Sequence, residues 1–368
     1  MIDSEKKTCF IISSDNIQNV NIRGYLFNAL EPKFKKIFFV GDRKNKNNSS
    51  EILWKNAARR NNLLIEIIVF IRLFLIVIKY RPSHIISFSP KVNLYTGLIS
   101  KLFLIKHIAV ISGLGREINK LKNAKSIYQI LFRYALKNST GIVSMNESNH
   151  KFLELLLKPR NILRIPSEAY EYDYQKKIKK NYEKKNFFYI SRIVPEKGIL
   201  LLLETFTEIL NKYPDVTLDI AGILALKKNS NEEKKFHKYI SLDNIRYHGP
   251  IHDNHKNLLF KDSSFFVFPS NYGEGLPMVL LEAQAYECIT ITSSVPGCLD
   301  GVSPSMKKFL CKYDRKSLLK SLELAIETPT EAAKAICLEA KKWVITNHNK
   351  RRVLGLYLKF FRESGFLD

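Results

Sequence analysis

Several things are missing from this 368-residue chain, and each absence closes off a class of protein. Its five cysteines, Cys9, Cys288, Cys298, Cys311 and Cys337, are odd in number and include no C-x-x-C pair. That spacing argues against a disulfide framework and a zinc site, and for reduced thiols in a cytosolic protein. The opening residues, MIDSEKKTCFIISS, have too short an apolar core for a signal peptide, and no cleavage pattern follows. The H-x-x-H at His252 and His255 has no acidic neighbour at helix spacing, so it reads as a solvated loop after the turn at Gly249-Pro250. A long uncharged apolar run is missing too. Residues 63–80, LLIEIIVFIRLFLIVIKY, are broken by Glu66 and Arg72. A charge at mid-membrane costs about 2.5–3.5 kcal/mol, so a buried helix ending before Arg81-Pro82 is expected, rather than a span. Acidic residues are scarce: 35 against 59 Lys plus Arg, a net +24. Either the composition is simply lysine-rich, or the partner is an anion: nucleic acid, membrane surface or phosphorylated substrate. The basic residues are not interleaved with base-stacking aromatics and no nucleic-acid motif is present, which argues against nucleic acid.

The length exceeds what one hydrophobic core usually supports, so two domains are expected. Short apolar runs at 9–12, 37–40, 84–88, 107–111 and 141–144 read as strands alternating with helical segments. A charged stretch at 166–186 containing QKKIKKNYEKK has no apolar face and reads as a solvated linker. The pattern then resumes, with strands at 187–190, 216–221, 245–248, 265–269 and 289–292 and helices at 317–326 and 331–346. Alternation of this kind specifies an α/β protein with parallel sheets covered by helices on both faces. The domains are expected at 1–165 and 187–346, with a last helix in 347–368.

Residues 265–300 organise the second domain. The run FFVFP reads as a buried strand, followed by a loop with Gly273 and Gly275 on either side of Glu274. Pro277 fits the first turn of the next helix, where its missing N–H costs nothing. A glycine loop leading into a helix N-terminus makes an anion site, because first-turn N–H groups have no partners and the dipole favours negative charge. Glu274 and Glu282 add acceptors for neutral hydroxyls. Phosphate at the helix end and hydroxyls at the carboxylates suggest a sugar nucleotide. Glu282 lies among Leu280, Leu281 and Ala283, where a carboxylate is costly unless something pairs with it. A plain surface loop carrying Glu274 and a solvated Glu282 is the competing reading.

Here the chain resembles a known family. Glu274 and Glu282 in GEGLPMVLLEA match the E-x7-E signature of retaining glycosyltransferases of family 4, and FYISRIVPEKG upstream is similar to that family's R-x4-K-G segment. The resemblance implies a GT-B fold: two Rossmann-like, doubly wound domains facing a cleft, the last helix crossing back to the first. It implies that Arg192 and Lys197 hold the donor diphosphate and neutralise the leaving group, a task for which Arg forks and Lys point charges are suited. It places Glu274 on the transferred sugar, the backbone of Gly275 and Leu276 at its ring and phosphate, Glu282 on the ribose hydroxyls, and Gly249 and Ile251 near the base. The loop Ser89-Pro90-Lys91 is similar to a T-P-K element, and Ser112-Gly113-Leu114-Gly115 to an H-G-L-G loop, of bacterial surface-polysaccharide enzymes. These suggest acceptor-side roles for Lys91, Ser112, Gly113 and Gly115. Configuration would be retained by front-face attack assisted by the departing phosphate.

The chain also departs from the pattern. Its first loop, SSDNIQNVN, has no glycine, Ser112 stands where many relatives have His, and Tyr286-Glu287-Cys288-Ile289 replaces the usual A-x-G-x-P continuation. No clustered Asp-x-Asp is present, so no metal or other cofactor is expected. The activity implied is transfer from a nucleotide sugar, UDP-linked, to a lipid-linked glycan precursor of a bacterial surface polysaccharide. The enzyme would be cytoplasmic and peripheral at the inner membrane face, its first domain docking on anionic lipid. A soluble saccharide or protein acceptor, and a non-catalytic basic scaffold, are the alternatives.

Overall fold

The computed structural model describes residues 7–13, 22–42, 50–55, 63–114, 122, 126–165, 169, 171, 178, 180–273 and 275–368. The chain divides into two compact units, residues 1–169 with 350–368, and residues 170–349.

In the first unit seven strands form one parallel sheet. They are β1 (Thr8–Ile12), β2 (Lys36–Gly41), β3 (Glu51–Leu53), β4 (His84–Phe88), β5 (Lys106–Ile111), β6 (Gly141–Ser144) and β7 (Ile162–Arg164), in the order β3-β2-β1-β4-β5-β6-β7. Helices α1 (Ile22–Leu30), α2 (Leu63–Tyr80), α3 (Pro90–Phe103), α4 (Ile127–Leu136) and α5 (Glu147–Leu157) connect them. The central strands are apolar throughout because both faces of a parallel sheet are covered. Beneath α3 lies a buried polar knot, in which His107 Nε2 meets the hydroxyls of Ser87 at 2.8 Å and Thr96 at 3.0 Å, and Nδ1 meets Ser139 at 3.0 Å.

The second unit repeats the design with six parallel strands. These are β8 (Asn186–Ile190), β9 (Thr217–Ala221), β10 (Ile245–Tyr247), β11 (Phe265–Phe268), β12 (Ile289–Ser293) and β13 (Leu310–Cys311), in the order β10-β9-β8-β11-β12-β13. Its helices are α6 (Ile199–Lys212), α7 (Asn231–Ile240), α8 (Asp253–Asp262), α9 (Met278–Ala285), α10 (Pro296–Asp300), α11 (Arg315–Glu327) and α12 (Thr330–Asn347). The last helix, α13 (Lys350–Glu363), belongs to the first unit. There Val353, Tyr357, Phe360 and Phe361 share a core with Ile86, Phe88, Ile108 and Val143.

The structure corrects several expectations. Helix α2 is not buried all round. Val69, Leu73 and Val77 face the core, but Leu64, Ile67, Ile68, Ile71, Leu75 and Ile78 form an exposed stripe along the opposite side. A helix that is apolar on every face buries only what its neighbours can reach. Among the described helices none is long and apolar enough to cross a membrane. Pro90 and Lys91 open α3 instead of lying in a loop, and Pro277 caps α9 from outside. His255 is on α8, with His252 as its N-cap residue, instead of in a solvated loop. The linker is not solvated along its whole length. Lys180 donates to the carbonyls of Phe260 at 2.6 Å and Ser263 at 2.7 Å, and the buried Tyr182 hydroxyl donates to Glu287 O at 2.9 Å. Three carbonyls left open at the C-terminal end of α8 attract one ammonium group that the sequence alone reads as a surface charge.

Candidate functional site

In a doubly wound sheet, ligands bind beyond the carboxyl ends of the strands where the strand order reverses. In the second unit that point lies between β8 and β11, which are neighbours in the sheet although three βα steps separate them in sequence. The loop after β8 carries Arg192 and Lys197, and the loop after β11 carries Gly273, Gly275 and Leu276.

The two loops are laced together. Asn271 N donates to Glu196 O at 2.9 Å, and the buried Ser270 hydroxyl reaches the same carbonyl at 3.4 Å. From the far side Thr292 Oγ1 donates to Phe268 O at 2.7 Å, and Ser293 Oγ donates to Ser270 O. Between the loops sits Gly198, at φ +76. A Cβ there would lie 1.9 Å from Pro269 O, so only glycine allows the basic turn at Pro195–Lys197 to approach the β11 loop this closely.

That approach positions Lys197. Its half-buried ammonium lies 4.9 Å from the centre of the Tyr272 ring and 5.5 Å from that of Phe268, a cation–π seat that places the charge beside the glycine loop. Arg192 is exposed two residues beyond the end of β8. Glu274 lies outside the described residues. Gly275 and the buried Leu276 lead directly into α9.

Glu282, on α9, is largely shielded, with 17% of its side chain exposed, and it has the partner its apolar surroundings require. Lys256 Nζ, from α8, lies 2.8 Å from Glu282 Oε1 and 3.1 Å from Asp253 Oδ1. Burial alone pulls the Lys256 ammonium toward neutrality, but the charge and hydrogen bond of Glu282, joined by Asp253, outweigh it and hold its pKa above the usual lysine value. Sequence reasoning missed Lys256, because its helix was read as a loop. Two residues after Glu282, Gln284 fixes α9 from its other side, donating to Leu280 O and Gly301 O and accepting from Ser303 N, each at 2.8 Å.

A third loop, after β10, completes this edge. Gly249 adopts φ +66, and its carbonyl accepts from Gly222 N at 2.8 Å. A Cβ on Gly222 would fall 1.7 Å from Ser191 O, so the ends of β8, β9 and β10 pack backbone on backbone. Ile251 is half-buried against the core of this unit. Below the loop, Asp219 is buried on β9 and accepts Arg246 Nε at 2.9 Å and Nη2 at 3.0 Å, with His248 Nε2 2.7 Å away. Among the described residues no three His, Cys, Asp or Glu side chains come together as metal ligands.

The residues suggested for the acceptor side lie in the first unit. Ser112 and Gly113 are half-buried just beyond the end of β5, and Gly115 lies outside the described residues. Lys91 is buried at the start of α3, with its ammonium 2.8 Å from Glu66 Oε2, and the Tyr95 hydroxyl donates to the same carboxylate. Glu287, at the position where the related motif has glycine, takes φ +58 and is held by Lys341 at 2.7 Å. A non-glycine residue in this left-handed conformation costs about 1–2 kcal/mol of local strain.

The arrangement defines a class of protein: two Rossmann-like, parallel-sheet units with a basic turn against a glycine loop at one switch point. Over 97% of this chain and all of the other, the fold matches Anabaena HepE, solved in complex with UDP and glucose, with a TM-score of 0.74 at 11% identity. This is the GT-B architecture. Residues 172–343, nearly the whole of the second unit, match the family model described as glycosyl transferases group 1. The chain is also similar to the capsular polysaccharide biosynthesis glycosyltransferase CapM of Staphylococcus aureus, at 27% identity over 70% of each chain. A further relative is the Campylobacter jejuni N,N'-diacetylbacillosaminyl-diphospho-undecaprenol alpha-1,3-N-acetylgalactosaminyltransferase, 25% identical over 66% of this chain and 67% of the other.

Proposed function

We propose that the protein is a retaining glycosyltransferase of the family 4 type, moving a sugar from a UDP-sugar to a lipid-linked glycan precursor in the assembly of a bacterial surface polysaccharide. The observation that carries this reading is the contact between the two motif loops at the switch point, with Lys197 seated over Tyr272 beside the glycine loop. In this reading Arg192 and Lys197 stabilise the diphosphate as charge develops on it, which raises kcat only if the interaction strengthens in the transition state. Glu274 orients the transferred sugar, and Glu282 takes the ribose hydroxyls while Lys256 holds its carboxylate in place. The acceptor class is supported by the diphospho-undecaprenol in the name of the Campylobacter relative, and the UDP donor by the nucleotide solved with the Anabaena protein. The basic turn supplies the neutralising charge, so no divalent metal is required.

Calorimetry with UDP tests the donor half. Glu282→Gln should weaken UDP binding about tenfold or more, since hydrogen bonds to charged groups contribute about 1.5–3 kcal/mol. Lys256→Met should weaken it by less. Unchanged affinity in Glu282→Gln removes the ribose assignment. Turnover of UDP-sugars with and without a chelator tests the rest. Activity abolished by chelation and restored by magnesium or manganese would overturn the metal-free reading.

A further inference from the structure

The first unit carries an apolar surface that the transfer chemistry does not use. The exposed stripe of α2 continues sideways. Phe74 packs 5.6 Å from Phe103 at the end of α3, and Phe70 lies 5.4 Å from Tyr95 on the same helix. On either side of Phe103 the chain exposes Leu102 and Leu104, the latter 92% accessible. On the other flank, α4 exposes Ile127, Ile130 and Tyr134, and Lys101 of α3 lies 3.4 Å over the Tyr134 ring. Three adjacent helices thus present one continuous apolar face, where a soluble monomer ordinarily shows scattered apolar residues.

The charge around that face is of one sign. Among the described residues of 67–146 there are nine Lys and Arg and no acidic residue. Within α2, α3 and α4 the one carboxylate is Glu66, already held by Lys91 and Tyr95. At the foot of the face a cavity of about 430 Å³ opens between the ends of α3 and α4 and the start of β5. Lys101, Lys106, Asn138 and Thr140 line it, as does Ser100, whose buried hydroxyl has no partner among the described residues. Lys106 is 3.5 Å from Asp368, so Lys101 is the cation less committed to a carboxylate.

We propose that α2, the end of α3 and α4 form a monotopic insertion face that enters the acyl boundary of an anionic bilayer, with the cavity receiving a headgroup phosphate. Apolar side chains bounded by basic ones suit that interface: the stripe partitions into the acyl region while Lys and Arg meet anionic headgroups. A second copy of this chain would set the same basic, carboxylate-poor helices against each other, which disfavours a dimer through this face. The inference rests on the lipid-linked acceptor reading and deepens it, since docking here would bring the enzyme to where such an acceptor resides.

The test is flotation with vesicles of phosphatidylcholine alone and with phosphatidylglycerol added. The full chain should float with the anionic vesicles and keep part of that binding at about 1 M salt, where charge is screened within about 3 Å but apolar insertion is not. The double variant Ile71→Asn, Leu75→Asn changes only exposed positions, and an unchanged melting curve would verify its fold. It should lose about tenfold or more in partitioning. Lys101→Gln should reduce the preference for phosphatidylglycerol, and Leu75→Trp should shift its fluorescence to the blue on adding vesicles. Binding that vanishes at high salt and ignores the double variant would overturn insertion, as would a lipid-free dimer that the double variant dissolves. UDP-sugar turnover measured in parallel separates the two readings. Vesicle binding without turnover keeps the face and removes the enzyme assignment; turnover without vesicle binding removes the face.

Discussion

The two units share one sheet design and differ almost everywhere else. The first carries 33 basic against 13 acidic residues, a net +20; the second carries 26 against 22, a net +4. In the second unit many charges are paired at short range, Asp219 with Arg246, Glu282 with Lys256, Glu287 with Lys341 and Glu208 with Arg315. Its exposed large apolar residues, such as Ile223, Leu258 and Leu338, are scattered over separate elements. In the first unit most of them gather on or beside α2, α3 and α4. The difference teaches that a doubly wound sheet specifies where a ligand edge lies, whereas the partner is decided by the surface laid over it. One unit pairs many of its charges at short range; the other stays strongly positive and leaves apolar side chains exposed.

The sharpest way to break this division is to disable one unit and assay the other. Lys197→Ala and Arg192→Ala should each lower kcat for sugar transfer by about 10²-fold or more, the scale for one electrostatic donor in a transition state. Vesicle flotation of the same variants should be unchanged. Near-normal turnover in both would show that the basic turn is not the chemical centre.

The tightest backbone approaches offer the next contrast. In the second unit Gly198→Ala would set a Cβ 1.9 Å from Pro269 O at a left-handed φ, so neither the turn nor the β11 loop can remain where it is. In the first, a Cβ at Gly97 would lie 2.8 Å from Ala135 O and 2.9 Å from the Leu136 side chain, so α4 would have to shift, but by less and with no left-handed φ to strain. Urea unfolding should show Gly97→Ala costing roughly 1–3 kcal/mol, as overpacking does, and Gly198→Ala costing more. Equal losses would mean that the motif loops are looser than their lacing indicates.

The smallest effect expected is a difference in acid sensitivity. Burial pushes His107 down to about 3, and burial with the charge of Lys106 lowers His84 to about 4; both are in the first unit. Their ordinary value is about 6.5, so between that pH and about 4 the unfolded chain binds protons that the folded chain refuses. Stability from these two groups is therefore complete above about pH 6.5 and declines as pH falls through the window. Thermal melts from pH 7 to pH 4.5 should show Tm falling, and His107→Asn should flatten that slope. A melting temperature independent of pH over the range would contradict the buried, neutral state of both imidazoles.

Much of this protein was legible in its residues. Buried parallel strands write themselves as short unbroken apolar runs, so HIISF, HIAVI and FFVF read correctly, and the α/β class followed from their alternation with helices. The two motifs were legible because each is local: a basic turn and a glycine loop need only neighbours in sequence to be recognised. The short edge strand at Glu51–Leu53 was not, since three residues carry no periodicity, nor was α8, whose polar N-terminal half hides its helical spacing. What only tertiary structure decided was pairing and exposure. Lys256 meets Glu282 across 26 residues, and Lys197 meets Tyr272 across 75, because β8 and β11 are brought side by side by the order of the sheet. The outer face of α2 is as apolar as its inner face, so no pattern along the helix distinguishes them. Which side meets the core and which is left exposed was settled by the shape of the neighbours, because burial is a property of the packed surface and not of the residue.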